Sequence, residues 1–70
     1  MGLELLGTDE DGFFTLAHDV TDDVGGTYAT GSEMRLLAHF TDQLGHAQVR
    51  IRPKHHQEGD GFVVPLKRLL

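Results

Sequence analysis

Two nearby stretches of this chain alternate their side chains with a period of two, and a short polar connection joins them. From Glu33 to Thr41, Met34, Leu36, Ala38 and Phe40 alternate with Arg35, Leu37, His39 and Thr41. From Ala47 to Arg52, the small and apolar Ala47, Val49 and Ile51 alternate with Gln48, Arg50 and Arg52. A period of two places successive side chains on opposite faces of a strand, and Thr41-Asp42-Gln43-Leu44-Gly45 between the stretches reads as the turn of an antiparallel hairpin. A helix over Glu33 to Phe40 competes, because Leu36, Leu37 and Phe40 would share one stripe; the hairpin context favours the strand. Pro53 ends the second strand by removing a ladder donor. The alternation directs Leu16, Met34, Leu36, Val49, one of Val63 and Val64, and Leu69 into one core, with Arg35, Arg50 and Arg52 facing out.

The rest of the chain is punctuated in the same way. Leu3, Glu4 and Leu5 alternate weakly before the polar cluster Gly7-Thr8-Asp9-Glu10-Asp11-Gly12, which reads as a short strand and a loop. Phe13 to Val20 places Phe14, Leu16, His18 and Val20 on one face of an expected strand. Thr21 to Thr27, with paired aspartates and Gly25-Gly26, has the composition of an exposed loop, as does Lys54 to Asp60. Gly61 to Val64 reads as a buried strand ending at Pro65, and Leu66 to Leu70 as a turn into a last strand. No internal repeat, linker or low-complexity segment interrupts this series. The expectation is an all-β fold, a small five- to six-stranded barrel over residues 13–70 preceded by a strand and loop over residues 1–12, because closure removes the exposed edges of a small sheet.

At 70 residues, the chain has room for one compact core and holds no cysteine to staple it. Packing or self-association must supply the stability, so a homo-oligomer is one expectation. Apolar runs are far shorter than the ~20 residues of a membrane span, and Glu4 stands where a secretion signal carries basic residues. A cytoplasmic location with no membrane partner is expected. Net charge is −5, yet it is divided unevenly: residues 1–34 hold eight acidic side chains and no Lys or Arg, whereas residues 35–70 hold all six basic ones against Asp42, Glu58 and Asp60. Such asymmetry is either neutralised between neighbouring strands or displayed as opposed patches that favour a charged ligand.

The order of segments resembles the Src-homology-3 family over roughly residues 13–70. Leu16-Ala17-His18-Asp19-Val20 is similar to its Ala-Leu-Tyr-Asp-Tyr strand, and Asp22 and Asp23 fall in its acidic first loop. Tyr28 to Leu37 resembles its approach to the diverging turn, with Gly31 at the turn. His46-Ala47-Gln48-Val49-Arg50-Ile51 takes the place of its Trp-Trp-Lys-Val strand; Gly61-Phe62-Val63-Val64-Pro65 is similar to its Gly-Phe-Val-Pro ending, and Leu66-Lys67-Arg68 takes the place of its one-turn helix. The resemblance implies a small barrel and a partner-binding surface at His18, Asp22, Asp23, Tyr28, His46 and Pro65. Where the family carries groove aromatics this chain has His18, Val20, His46 and about Arg68, and only Pro65 is kept. The chain has no Trp, which argues against a proline-rich peptide ligand.

Other chemistry is sparse. His55 and His56 are adjacent and have no zinc-ligand spacing, while Asp9-Glu10-Asp11-Gly12 lacks the later glutamate of a calcium loop, so no metal or other cofactor is expected. His18 and His46 are placed on one surface by the resemblance. Ser32 is the only serine and has no evident base, and neither a nucleophile elbow nor a phosphate-cradling glycine loop is present. No catalytic residue is assigned and an enzyme is not expected. Two functions stay open: a non-enzymatic protein-protein interaction module or small regulatory or structural subunit, and a nucleic-acid or ribonucleoprotein-associated barrel using Arg35, Arg50 and Arg52 as a basic sheet face.

Overall fold

The computed structural model describes residues 6–55 and 59–70. Among the described residues six strands follow in chain order, β1 (Phe13–Thr15), β2 (Val20–Thr21), β3 (Thr27–Tyr28), β4 (Glu33–Thr41), β5 (Ala47–Pro53) and β6 (Phe62–Pro65), and a 3-10 turn spans Leu66–Arg68. Every pairing is antiparallel. A four-stranded sheet runs β1-β4-β5-β6, and β2 with β3 forms a separate two-stranded ribbon. The chain is thus all-β. Among the described residues no pairing joins β6 back to β1.

The central hairpin has the bounds that the alternation predicts for β4, and β5 runs on to Pro53. Leu36 faces Ile51, but the next pair is Ala38 with Arg50, so Leu37 is an extra residue bulged out of the ladder. Residues directly opposite share a face. Beyond the bulge the faces of β4 therefore exchange: His39 pairs with Val49 on the core side, while Ala38 and Phe40 join Arg50 and Gln48 on the outer side. This corrects the expected single alternation from Met34 through Phe40. Phe40 is 44% exposed.

Two further expectations change. The strand expected over Phe13 to Val20 is broken after Thr15, because Leu16 donates its amide to the Ser32 carbonyl at 2.9 Å and accepts the Gly31 amide at 2.8 Å. His18 is exposed within that break, away from the buried Phe14, Leu16 and Val20. After Pro65 the chain makes no further strand among the described residues; Leu69 donates to the Leu66 carbonyl at 2.9 Å and its side chain caps the core. The expected strand at Leu3 to Leu5 and His56 lie outside the described residues.

The core gathers Phe14, Leu16, Val20, Met34, Val49, Ile51, Phe62, Val64, Leu66 and Leu69, with Leu6, Tyr28 and Leu36 packed against it. Of the two candidate valines, Val64 points inward and Val63 outward. Gly61 is essential to the approach of β6: its φ is +70°, and a Cβ there would overlap the Ile51 carbonyl oxygen. Among the described residues no helix is long and apolar enough to cross a membrane.

Candidate functional site

Three turns of one construction set the positions of the candidate residues. Asp9, Asp22 and Asp42 are each followed three residues later by a glycine, Gly12, Gly25 and Gly45, with φ of 85°, 89° and 85°. In each, one carboxylate oxygen accepts the amides two and four residues on: Asp11 and Phe13 at 2.9 and 3.0 Å, Val24 and Gly26 at 3.0 and 2.7 Å, Leu44 and His46 at 2.9 and 2.8 Å. The aspartate amide donates back to the carbonyl four residues on, closing the loop from both sides. The cluster at Asp9 is therefore a self-satisfied turn. Among the described residues no three His, Cys, Asp or Glu side chains gather as a metal site.

These bonds account for much of the acidic first loop. Hydrogen bonds from the Thr30 amide and hydroxyl hold the Asp19 carboxyl below the usual carboxylate range. Partial burial pushes Asp22 up, but hydrogen bonds from Gly26, Val24, Tyr28 and Gly25 together outweigh it and leave Asp22 lowered. The Tyr28 hydroxyl donates to Asp22 at 3.2 Å, and its ring stacks on Phe62 with centroids 5.5 Å apart. Burial first, and then the Asp22 carboxylate, raise the Tyr28 phenol above its ordinary value. Asp23 is exposed beside this pair.

The surface expected from the resemblance divides into separate parts. Asp22 and Tyr28 are bonded to each other. His46 and Pro65 line one concavity of about 380 Å³, together with Ala47, Gln48, Leu66, Lys67 and Leu70. His18 makes no hydrogen bond with any of them among the described residues. The hairpin turn fixes His46 in place: its amide is held by Asp42, whose second oxygen lies 3.8 Å from the His46 ring and accepts the Gln48 side-chain amide at 3.0 Å. The His46 amide, opposed by partial burial and aided by Gln48 and Leu44, keeps the Asp42 carboxyl low. Leu44, in the same turn, is 81% exposed, and Leu70 is 45% exposed.

Arg35, Arg50 and Arg52 share the outer face, as expected. Arg35 stands directly opposite Arg52, with Phe13 next in the row on β1. The Arg35 guanidinium and the Lys54 ammonium lie 5.6 and 5.1 Å from the Phe13 ring centre. Phe13, Arg35, Arg52, Pro53 and Lys54 line a concavity of about 340 Å³. Arg50 and Arg52 donate to the carbonyls of Asp60 and Gly59, each at 3.1 Å, and among the described residues none of the three arginines pairs with a carboxylate. Lys54 does pair, with Glu33 at 2.6 Å, which lowers the Glu33 carboxyl and raises the Lys54 amine.

Sequence reasoning missed two features of these sites. The triple Asp-x-x-Gly spacing was visible and marks the carboxylates that serve turns. The adjacent apolar pair Leu36-Leu37, an interruption in an otherwise alternating strand, was the signal for the bulge that brings Phe40 onto the arginine face. The chain matches no family model, no curated protein and no solved structure.

Proposed function

We propose that the chain is a non-enzymatic protein-interaction module of Src-homology-3-like architecture, and that it seats an apolar side chain of its partner in the concavity between the hairpin turn and the 3-10 turn. The observation that carries this reading is the composition of that concavity: Pro65, Leu66 and Leu70 form an apolar floor, His46, Gln48 and Lys67 supply polar edges, and exposed Leu44 stands in the adjoining turn. A small apolar hollow with a few polar groups around it suits one anchoring side chain from an extended segment. The family reading is supported by the order of elements, with only the short β2–β3 ribbon between β1 and β4 and a one-turn helix directly after the strand ending in Pro65. Without tryptophan the hollow lacks the flat walls that hold a polyproline helix, so the anchor is a branched aliphatic or aromatic residue rather than a proline pair.

A displayed library of random peptides, selected on the folded chain, tests this. Enriched peptides should share an apolar anchor, and their binding should fall at least tenfold in Ala47→Tyr and Leu70→Glu while the unfolding midpoint is kept. Enrichment of nothing, or of peptides indifferent to both variants, contradicts the reading.

A further inference from the structure

Like charges directly across a sheet repel, yet Arg35 faces Arg52 in register, and Arg50 follows on the same face two residues along β5. Lys54 beside them is paired with Glu33 and also feels Asp9, which leaves Arg35, Arg50 and Arg52 as cations with no described carboxylate in contact, on a chain whose net charge is −5. The same face is not purely charged. Its rows read Phe13–Arg35–Arg52, then Ala38–Arg50–Val63, then Phe40–Gln48–Pro65, so that a half-buried ring under the cations lies at one end of the arginine track and exposed Phe40 at the other. Phe40 reaches that face only because Leu37 is bulged.

From this juxtaposition we propose that the outer face of the four-stranded sheet binds single-stranded nucleic acid, with phosphates at the Arg35–Arg52–Lys54 corner and at Arg50 and a base against Phe40. A phosphodiester strand repeats a negative charge and a flat apolar surface along its length, and the face offers cations and rings in turn. Guanidinium forks suit phosphate oxygens, and those of Arg50 and Arg52 keep most of their donors after one bond each to a loop carbonyl. An acidic protein segment would match the arginines but gives Phe40 no role. A duplex would present its backbone while hiding the base faces that a ring can stack on. The contacts proposed here, at Arg35, Arg50, Arg52, Lys54 and Phe40, are not residues of the concavity assigned to the protein partner, which adjoins this face at Gln48 and Pro65, so either can fail alone.

Fluorescence anisotropy of labelled oligo-dT and oligo-U of about 12 nucleotides, titrated with the intact chain between about 50 and 200 mM salt, is the test. With Lys54 held by Glu33, phosphate contacts at Arg35, Arg50 and Arg52 predict a log–log salt slope of about −2, and Arg35→Gln with Arg52→Gln should remove about 1.4 of it. Phe40→Thr should weaken binding about fivefold or more with the slope kept, because stacking releases no counterions. Arg68→Gln, off the sheet face, should change little. Circular dichroism melts confirm that each variant is folded. Absence of binding at the lower salt, a slope untouched by the double substitution in a folded protein, or equally tight binding of a labelled polyglutamate peptide overturns the proposal, the last in favour of an acidic protein partner.

Discussion

The Tyr28 hydroxyl donates to Asp22 at 3.2 Å, while the other oxygen of the same carboxylate holds the Gly26 amide at 2.7 Å. One side chain thereby closes the turn between β2 and β3 and fixes the ring that stacks on Phe62. The ribbon is tied to the core of the main sheet through this pair. Asp22 is a structural clamp, and of the paired aspartates in this loop only Asp23 is exposed.

Tyr28 is the only tyrosine and the chain has no tryptophan, so ultraviolet absorbance follows its ionisation alone. Its pKa is raised, first by burial and then by Asp22. The neutral phenol is the form the fold favours, and the stability it contributes is lost as pH rises through the raised value. Ionisation should begin above pH ~10, later than in the unfolded chain. Asp22→Asn should bring it closer to the ordinary value; an unchanged titration in that variant would show that the bond does not matter.

The carboxylates act in the opposite sense. Asp19, Asp22, Asp42 and Glu33 are all lowered in the fold by the bonds described above. Their contribution is complete above the unfolded value near pH ~4 and is lost as pH falls through the lower folded values. Thermal melts should therefore show a midpoint that drops steeply below pH ~4. Asp42→Asn should lower the midpoint at neutral pH and flatten that acid limb, whereas equal acid sensitivity in the variant would remove the turn carboxylate from the explanation.

Glycine substitutions separate conformation from contact. Gly31 has φ of +92° with open space around it, so Gly31→Ala meets only backbone strain, costing about 1–2 kcal/mol. Gly61→Ala adds an overlap with the Ile51 backbone to the same strain and should prevent β6 from pairing with β5. Urea melts should rank the two variants far apart; similar midpoints would contradict the close approach described.

Core and surface on β4 can be told apart in the same way. Met34→Ala removes a fully buried side chain and should cost about 2–5 kcal/mol. Phe40→Thr keeps β propensity on an exposed position and should cost about 1 kcal/mol or less. A comparable loss from both would mean that Phe40 packs inward and that β4 has no bulge.

Much of this was legible in the residues. Period-two patterning gave β4 its bounds, the inward Met34 and Val49 and the outward arginines, because register inverts every side chain of a strand at once, whereas Leu16 and Leu69 reach the core from outside any strand. It failed where one residue breaks that coupling, at Leu37, and where side chains capture backbone, as Thr30 and Asp19 do beside the broken first strand. The candidate surface was harder to read. Sequence proximity cannot distinguish Asp22, which faces its own turn, from Asp23 beside it, nor show that His46 and Pro65 share a hollow that His18 does not line.

The hollow is also where the functional account is most directly open to contradiction. Amide shifts of the labelled chain, recorded as a library-selected peptide is added, locate contact residue by residue. The largest changes should fall at His46, Ala47, Gln48, Lys67 and Leu70, with Arg35 and Arg52 nearly still. Changes confined to the arginine corner, or spread over the acidic ribbon with none at His46 to Gln48, would contradict the proposed function.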